Sequence, residues 1–222
     1  DFSVDKEYAY FSILPTTTQY ARNSFFSGLT PLDIEKKYPQ WWKSDLDEGG
    51  KNLFEKELLK EQCDKLDLNR TISYHKITKL EQSNQLIKNL QNHFHEGLTA
   101  VVYNFVDMIS HSKTEMEVIK ELAPDNKAYR SLTLSWFKNS SLKKLLKKAS
   151  ELDETKDVIW IELVKLDEEL QLWEEMFNDS YQASENFPSL PYFYYAQGKS
   201  GLMIEKYLEA KDVLSFGREL VF

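Results

Sequence analysis

The sequence predicts a helix-rich α/β fold. Three observations lead there: short aromatic and β-branched runs separated by helical stretches in the first half, the nearly all-apolar run AVVYNFVDM at 100–108, and helical patterning throughout from 114 onward. A run as apolar as 100–108 suits a strand covered on both faces, and strands that alternate with helices pair in parallel.

Taken in order, YAYFSIL (8–14) reads as a strand stopped by Pro15, and TQYARNSFFSGL reads as a helix from about Thr16 to Gly28. The Pro-, Gly- and acid-rich stretch 39–52 reads as a surface loop whose two tryptophans need cover. A helix follows at 53–66, an alternating strand TISYHKI at 71–77, and an amphipathic helix at 80–94. Strand 100–108 closes the sheet. Helices then run from 114 to 150, punctuated at Pro124 and Asn139.

The 222 residues are 41% hydrophobic and 29% charged, enough apolar material for a packed core and too much for a disordered chain. No run reaches the length of a membrane span, and the opening DFSVDKEYAY has neither the basic nor the apolar part of a signal peptide, so the expectation is a cytoplasmic chain with no membrane partner. The single cysteine, Cys63, cannot form an intramolecular disulfide and reads as a core or half-exposed thiol. The net charge of −8 resides wholly in residues 157–222, with 13 acidic and 5 basic side chains. A basic stripe for a phosphate backbone is lacking, and the one short basic run, LKKLLKKAS at 142–150, reads as the solvated face of a helix.

That charge break suggests a division at about 156. Beyond it, two helical pairs align at a period of about 34. Trp160, Ala183 and Pro188 in the first, and Tyr194, Gly198, Tyr207, Ala210, Leu214 and Gly217 in the second, take the bulky and small positions of such a repeat. The small residues are expected where paired helices approach closely, and Tyr192, Tyr194 and Tyr195 read as part of the repeat's core in preference to a binding surface. The segment resembles tetratricopeptide repeats, which implies an α-helical hairpin segment and a protein partner held there.

In the first part, PTTTQYARN (15–23) and VVYNFVDMISH (101–111) carry the chemistry-bearing side chains. Ligands of α/β sheets gather beyond the carboxyl ends of strands, where Thr18 and Asp107 both fall. His111 follows Asp107 by four residues, so a turn or helix after the strand brings carboxylate and imidazole to one side, as a metal ion needs. Each has a plainer reading: Thr16, Thr17 and Thr18 as a helix-capping cluster, and His111 as a hydrogen-bonded structural residue. His75, His93 and His95 complete no ligand set.

From Tyr10 to about Lys148, the runs YFSILPTTTQYARNSFFSGLTPLDIEKKYPQWW, DEGGKNLFEKELLKEQ, SYHKI, VVYNFVDMISHSKTEMEVIKELAPDNKAYRSLTLSWF and SSLKKLLKK resemble the PglZ domain of PorX-type response regulators. The resemblance implies a partial alkaline-phosphatase-like parallel sheet with flanking helices over 1–156, a zinc-dependent phosphodiesterase acting on oligonucleotides or other phosphodiesters, and a role in type IX secretion. It makes Thr18 nucleophile and metal ligand, and Asp107 and His111 ligands of the other metal. It also implies an aspartate ahead of residue 1, a downstream Asp-His pair and a late histidine, yet there is no Asp-His dipeptide and no histidine after His111. Little turnover is therefore expected, and a non-enzymatic interaction protein is the alternative reading.

Overall fold

The structure, a computed structural model, describes residues 11–43, 47, 50–89 and 97–221. Two compact units are present: the first takes residues 1–78 and 88–108, the second 79–87 and 109–222.

The first unit opens with α1 (Thr18–Ser27), closed by Gly28 in the left-handed conformation (φ +63°), whose N–H returns to Ser24 O at 2.9 Å. α2 (Pro31–Lys37) starts with proline already set for helical φ, and Thr30 accepts the Asp33 N–H at its N-cap. α3 (Glu55–Lys65) follows, then β1 (Thr71–Ile77) and β2 (Gly97–Tyr103), which pair in parallel with Ile72 opposite Leu98, Tyr74 opposite Ala100 and Lys76 opposite Val102. Strand alternation sends one side of this sheet into the core. Ile72, Tyr74, Leu98, Ala100 and Val102 pack on a cluster built from Phe26 of α1, Ile34 of α2, Tyr38, and Leu58, Leu59 and Cys63 of α3. The loop tryptophans find their cover here: Trp41 stacks on Tyr38 at 4.7 Å and Trp42 leans on Tyr20 at 5.6 Å. Cys63 is buried, and burial raises its thiol pKa, which leaves it protonated and inert.

Two expected strands change. Residues 11–14 of the proposed first strand are not extended into a sheet, and 8–10 lie outside the described residues. The strand expected at 100–108 runs instead from Gly97 to Tyr103, because after Asn104 the apolar residues follow helical spacing and the chain enters α5 (Phe105–Glu115). The amphipathic helix expected at 80–94 appears as α4 (Leu80–Lys88), and 90–96, with His93 and His95, lies outside the described residues.

The second unit holds α4, the later part of α5, α6 (Glu117–Leu122), α7 (Asn126–Asn139), α8 (Leu142–Leu152), α9 (Asp157–Glu169), α10 (Trp173–Asn186), α11 (Pro191–Met203) and α12 (Tyr207–Glu219). Pro124 and Asn139 punctuate as expected: Asp125 caps α7 by accepting the Ala128 N–H at 2.8 Å, and Asn139 is the helix's last residue. Buried Ser141 ties the start of α8 to α4 by donating its hydroxyl to Ser83 O at 2.6 Å. From α9 onward each helix packs on the one before it. Their core is Trp160, Leu163, Val164, Met176, Ala183, Phe193 and Ala196. Residue 157, where the charge changes, begins α9 inside this unit.

The small residues of the last two helices sit where α11 and α12 are closest. A Cβ on Gly198 would overlap the Leu214 side chain, and one on Gly217 would come to 2.7 Å of Tyr194 Cβ. Of the three tyrosines, Tyr195 is exposed while Tyr192 and Tyr194 are half-buried, and Phe193 fills the core between them.

The basic run of α8 is a solvated face only in part: Lys144 is exposed and Lys148 pairs with Glu151 on its own helix, whereas Lys143 and Lys147 turn to neighbouring helices. Lys143 Nζ lies 2.6 Å from Asp167 of α9, which is fully buried, and 3.6 Å from Asp179 of α10. Lys147 Nζ lies 2.6 Å from Asp179, donates to Gln182 and sits over the Trp160 ring. Burial lifts the Asp167 carboxyl to about 7, against the lowering pull of Lys143, with Asp179 adding to the rise. Because its ordinary value is about 4, the folded state binds a proton that the unfolded chain releases, so stability falls as pH rises between about 4 and 7.

Asp167→Asn removes that titration. The variant should gain on the parent by on the order of 1–3 kcal/mol between pH 5 and pH 8, read from urea unfolding at both values. A difference that does not change with pH would contradict this account. Gly198→Ala should lower the unfolding free energy by about 1–3 kcal/mol, seen as a lower midpoint at an unchanged denaturant slope, since the added methyl must displace Leu214.

Candidate functional site

Thr18 is the first residue of α1, and the capping reading of its cluster fails. Thr17 is the N-cap residue but makes no side-chain cap hydrogen bond, and Thr16 and Thr17 are exposed. The Thr18 hydroxyl reaches across the fold and donates to Asp107 Oδ1 at 2.7 Å, joining residues 89 apart in sequence. That is the length of a hydroxyl-to-carboxylate hydrogen bond. Asp107 lies in the first turn of α5, where a helix N-terminus favours a carboxylate.

The approach of α1 to the exit of β2 is held by a buried carboxylate next to this pair. Glu55, the first residue of α3, is 1% exposed. Arg22, one turn beyond Thr18 on α1, meets it through Nε on Oε1 and Nη2 on Oε2, both at 2.7 Å, and gives Nη1 to Asn104 Oδ1 at 2.5 Å. Asn104 links β2 to α5, and its N–H donates to Ile77 O of β1 at 2.9 Å. Tyr74 of β1 also donates to Glu55, and burial together with that hydrogen bond holds its hydroxyl above the usual tyrosine range, so it stays a donor. Asn52 gives its side-chain amide to Thr18 O at 3.2 Å and to Glu55 Oε1 at 3.3 Å, and its own carbonyl accepts from Lys76 Nζ at 3.2 Å. Lys76 Nζ is 3.6 Å from Glu55 Oε2.

Of the three residues expected to carry the chemistry, Thr18 and Asp107 are therefore in contact. His111 lies one helical turn after Asp107 on α5 and is exposed. The sequence reading missed Arg22, Asn52, Glu55, Tyr74, Lys76 and Asn104. The spacing of Thr18 and Arg22 on one helix face, and the alternation of Tyr74 and Lys76 on one strand face, were the available signals.

Residues 2–162 match the model of the BREX system PglZ alkaline phosphatase-like domain. The chain belongs to the PglZ family. Thr18, Asp107, His111 and the whole Glu55 network lie within that match. No curated protein matches the chain. Members of the alkaline-phosphatase-like superfamily commonly use metal ions, and the donors of this PglZ domain can be tested against that chemistry. A zinc centre takes three or four N, O or S ligands. Among the described residues no group of three or more His, Cys, Asp or Glu side chains converges on one point, and the Thr18 hydroxyl spends its proton on Asp107. The described residues do not fit a zinc ion by themselves.

Glu55→Ala leaves Arg22 and Lys76 without their counter-charge in a half-buried place and should cost about 3–5 kcal/mol in urea unfolding, whereas Glu55→Gln, which keeps hydrogen-bonding atoms, should cost less. Equal losses for the two would show that the charge on Glu55 is not what the network uses.

Proposed function

We propose that this PglZ domain acts on phosphoesters, with Thr18 as the attacking hydroxyl and Asp107 as the acceptor of its proton. The observation that carries the reading is the Thr18–Asp107 hydrogen bond, at 2.7 Å, at the carboxyl end of a parallel strand pair. In the step proposed, Thr18 Oγ forms a bond to phosphorus and its proton passes to Asp107 Oδ1. The ester P–O bond breaks, and the leaving oxygen takes a proton from solvent. Water then hydrolyses the phosphothreonine. Metal ions, where members of the superfamily use them, supply the positive charge that stabilises the phosphoryl oxygens, and here such an ion would need ligands beyond Thr18, Asp107 and His111. Turnover should be slow without that stabilisation.

The finer assignment is to the PorX-type branch, with an oligonucleotide or other phosphodiester as substrate, zinc as metal, a cytoplasmic setting and a role in type IX secretion. The motif runs from Tyr10 to Lys148 support it, and the single cysteine agrees with a reducing compartment. A second reading, favoured by the 13 acidic against 5 basic residues of 157–222, is that the α9–α12 helices form tetratricopeptide-like hairpins that hold a basic protein partner.

Hydrolysis of a generic phosphodiester with added zinc tests the first reading. Thr18→Ala should abolish turnover, and Asp107→Asn should lower it by about 100-fold or more. Turnover unchanged in Thr18→Ala, or none in the folded parent, would move the weight to the binding reading.

A further inference from the structure

Two cations share the single carboxylate of Glu55, and they are not equivalent. Arg22 has Nε and Nη2 on Glu55 and Nη1 on Asn104, and its side chain is 19% exposed, so its planar fork is committed to the fold. Lys76 is 31% exposed and touches Glu55 only at 3.6 Å, beyond hydrogen-bonding distance, with one hydrogen bond, to Asn52 O. An ammonium has three N–H donors, so donor capacity and positive charge both remain at Lys76 after Arg22 has neutralised Glu55.

Its place in the sheet aims that surplus at the Thr18 turn. Lys76 is the last residue but one of β1, opposite Val102 of β2, and the strands are parallel, so it shares their carboxyl edge with Asn104, whose successor turn carries Asp107. Its contact Asn52 is also the residue that donates to Thr18 O. Lys76 and Thr18 are thus two sides of one small asparagine bridge, at the edge where α/β sheets take their ligands.

We infer that Lys76 is a substrate-binding residue of this site, giving its ammonium to the non-bridging oxygens of a phosphoryl group presented to Thr18. The inference rests on the phosphoester reading above and adds the residue that anchors the anion. A compact ammonium with rotatable donors serves a phosphate as a point charge, without the fixed docking geometry that an arginine fork imposes.

Orthophosphate binding to the full chain, measured by calorimetry or ³¹P line broadening at low ionic strength, is the test. Lys76→Gln should bind orthophosphate about tenfold more weakly or worse, as expected for loss of a charged hydrogen bond. Lys76→Arg should restore most of the affinity. Lys60→Gln, at an exposed position of α3, should bind as the parent does. If Lys76→Gln does not fold by circular dichroism, Lys76→Met, which keeps the stem without the charge, takes its place. Parental affinity in Lys76→Gln or Lys76→Met, or no orthophosphate binding by the parent, overturns the inference. Thr18→Ala separates the two claims, since it should keep orthophosphate binding while losing hydrolysis. Lys76-dependent binding without turnover would sink only the catalytic reading, and Thr18-dependent turnover with an unchanged KM in Lys76→Gln would sink only the role of Lys76.

Discussion

A carboxylate sealed from water must be neutralised by the protein, and in the first unit that requirement falls on Glu55. Four side chains from three pieces of chain answer it: Arg22 from α1, Asn52 from the loop ahead of α3, and Tyr74 and Lys76 from β1, while Arg22 carries the connection on to Asn104 at the exit of β2. Each of these pieces bears on the Thr18 turn or on the strand edge beside it. The hydrophobic cluster of Phe26, Ile34 and Leu58 supplies most of the cohesion, but it is non-directional and tolerates small slides of one element on another. A bidentate guanidinium on a buried carboxylate does not, which is why the placement of α1 against α3 and the exit of β2 follows from Glu55.

The helical unit meets the same problem with a different outcome. Asp167 is as buried as Glu55, yet its cation comes from a single lysine whose charge Asp179 also draws on, and burial wins over that attraction. The two cases differ in supply. Glu55 has two cations and two neutral donors, whereas Asp167 has Lys143 and an acidic neighbour. That shortage of hydrogen-bonded counter-charge is what lets burial raise the Asp167 carboxyl to about 7.

Much of this was readable in the residues, and what was not has a common physical cause. The strand TISYHKI was placed to the residue, because alternation over a short β-branched run has one reading. The helical breaks at Pro124 and Asn139 followed from local backbone chemistry. The sequence pattern sets the end of β2 too late, since Phe105, Val106, Met108 and Ile109 serve a helix as well as a strand, and hydrophobicity alone does not choose between the periods. α2 went unread although Thr30, Pro31 and Asp33 form a capping signal, because the segment is a single short helix with few apolar positions. The Lys143–Asp167 and Arg22–Glu55 pairings were beyond reach for another reason. A charge run has the same sequence whether it meets water or a buried acid, and only the packing of the next helix decides.

The site shows the same division between local and long-range information. Thr18 and Asp107 are nominated by their positions after a turn and a strand, and the structure brings the two side chains into contact. The residues around them, from Arg22 to Asn104, are drawn from five places along the chain, and no one stretch announces them. What this arrangement holds is a hydroxyl with its proton directed at a carboxylate, and two cations, Arg22 and Lys76, set against two carboxylates, Glu55 and Asp107. What it lacks among the described residues is a converging set of metal donors. Orientation and proton acceptance are therefore intrinsic to this part of the chain, whereas strong stabilisation of a phosphoryl transition state is not. Under the proposed reading, phosphate binding and hydrolysis make separate demands: the first draws on Lys76 at the strand edge, and the second on positive charge that the described residues of this cluster do not supply.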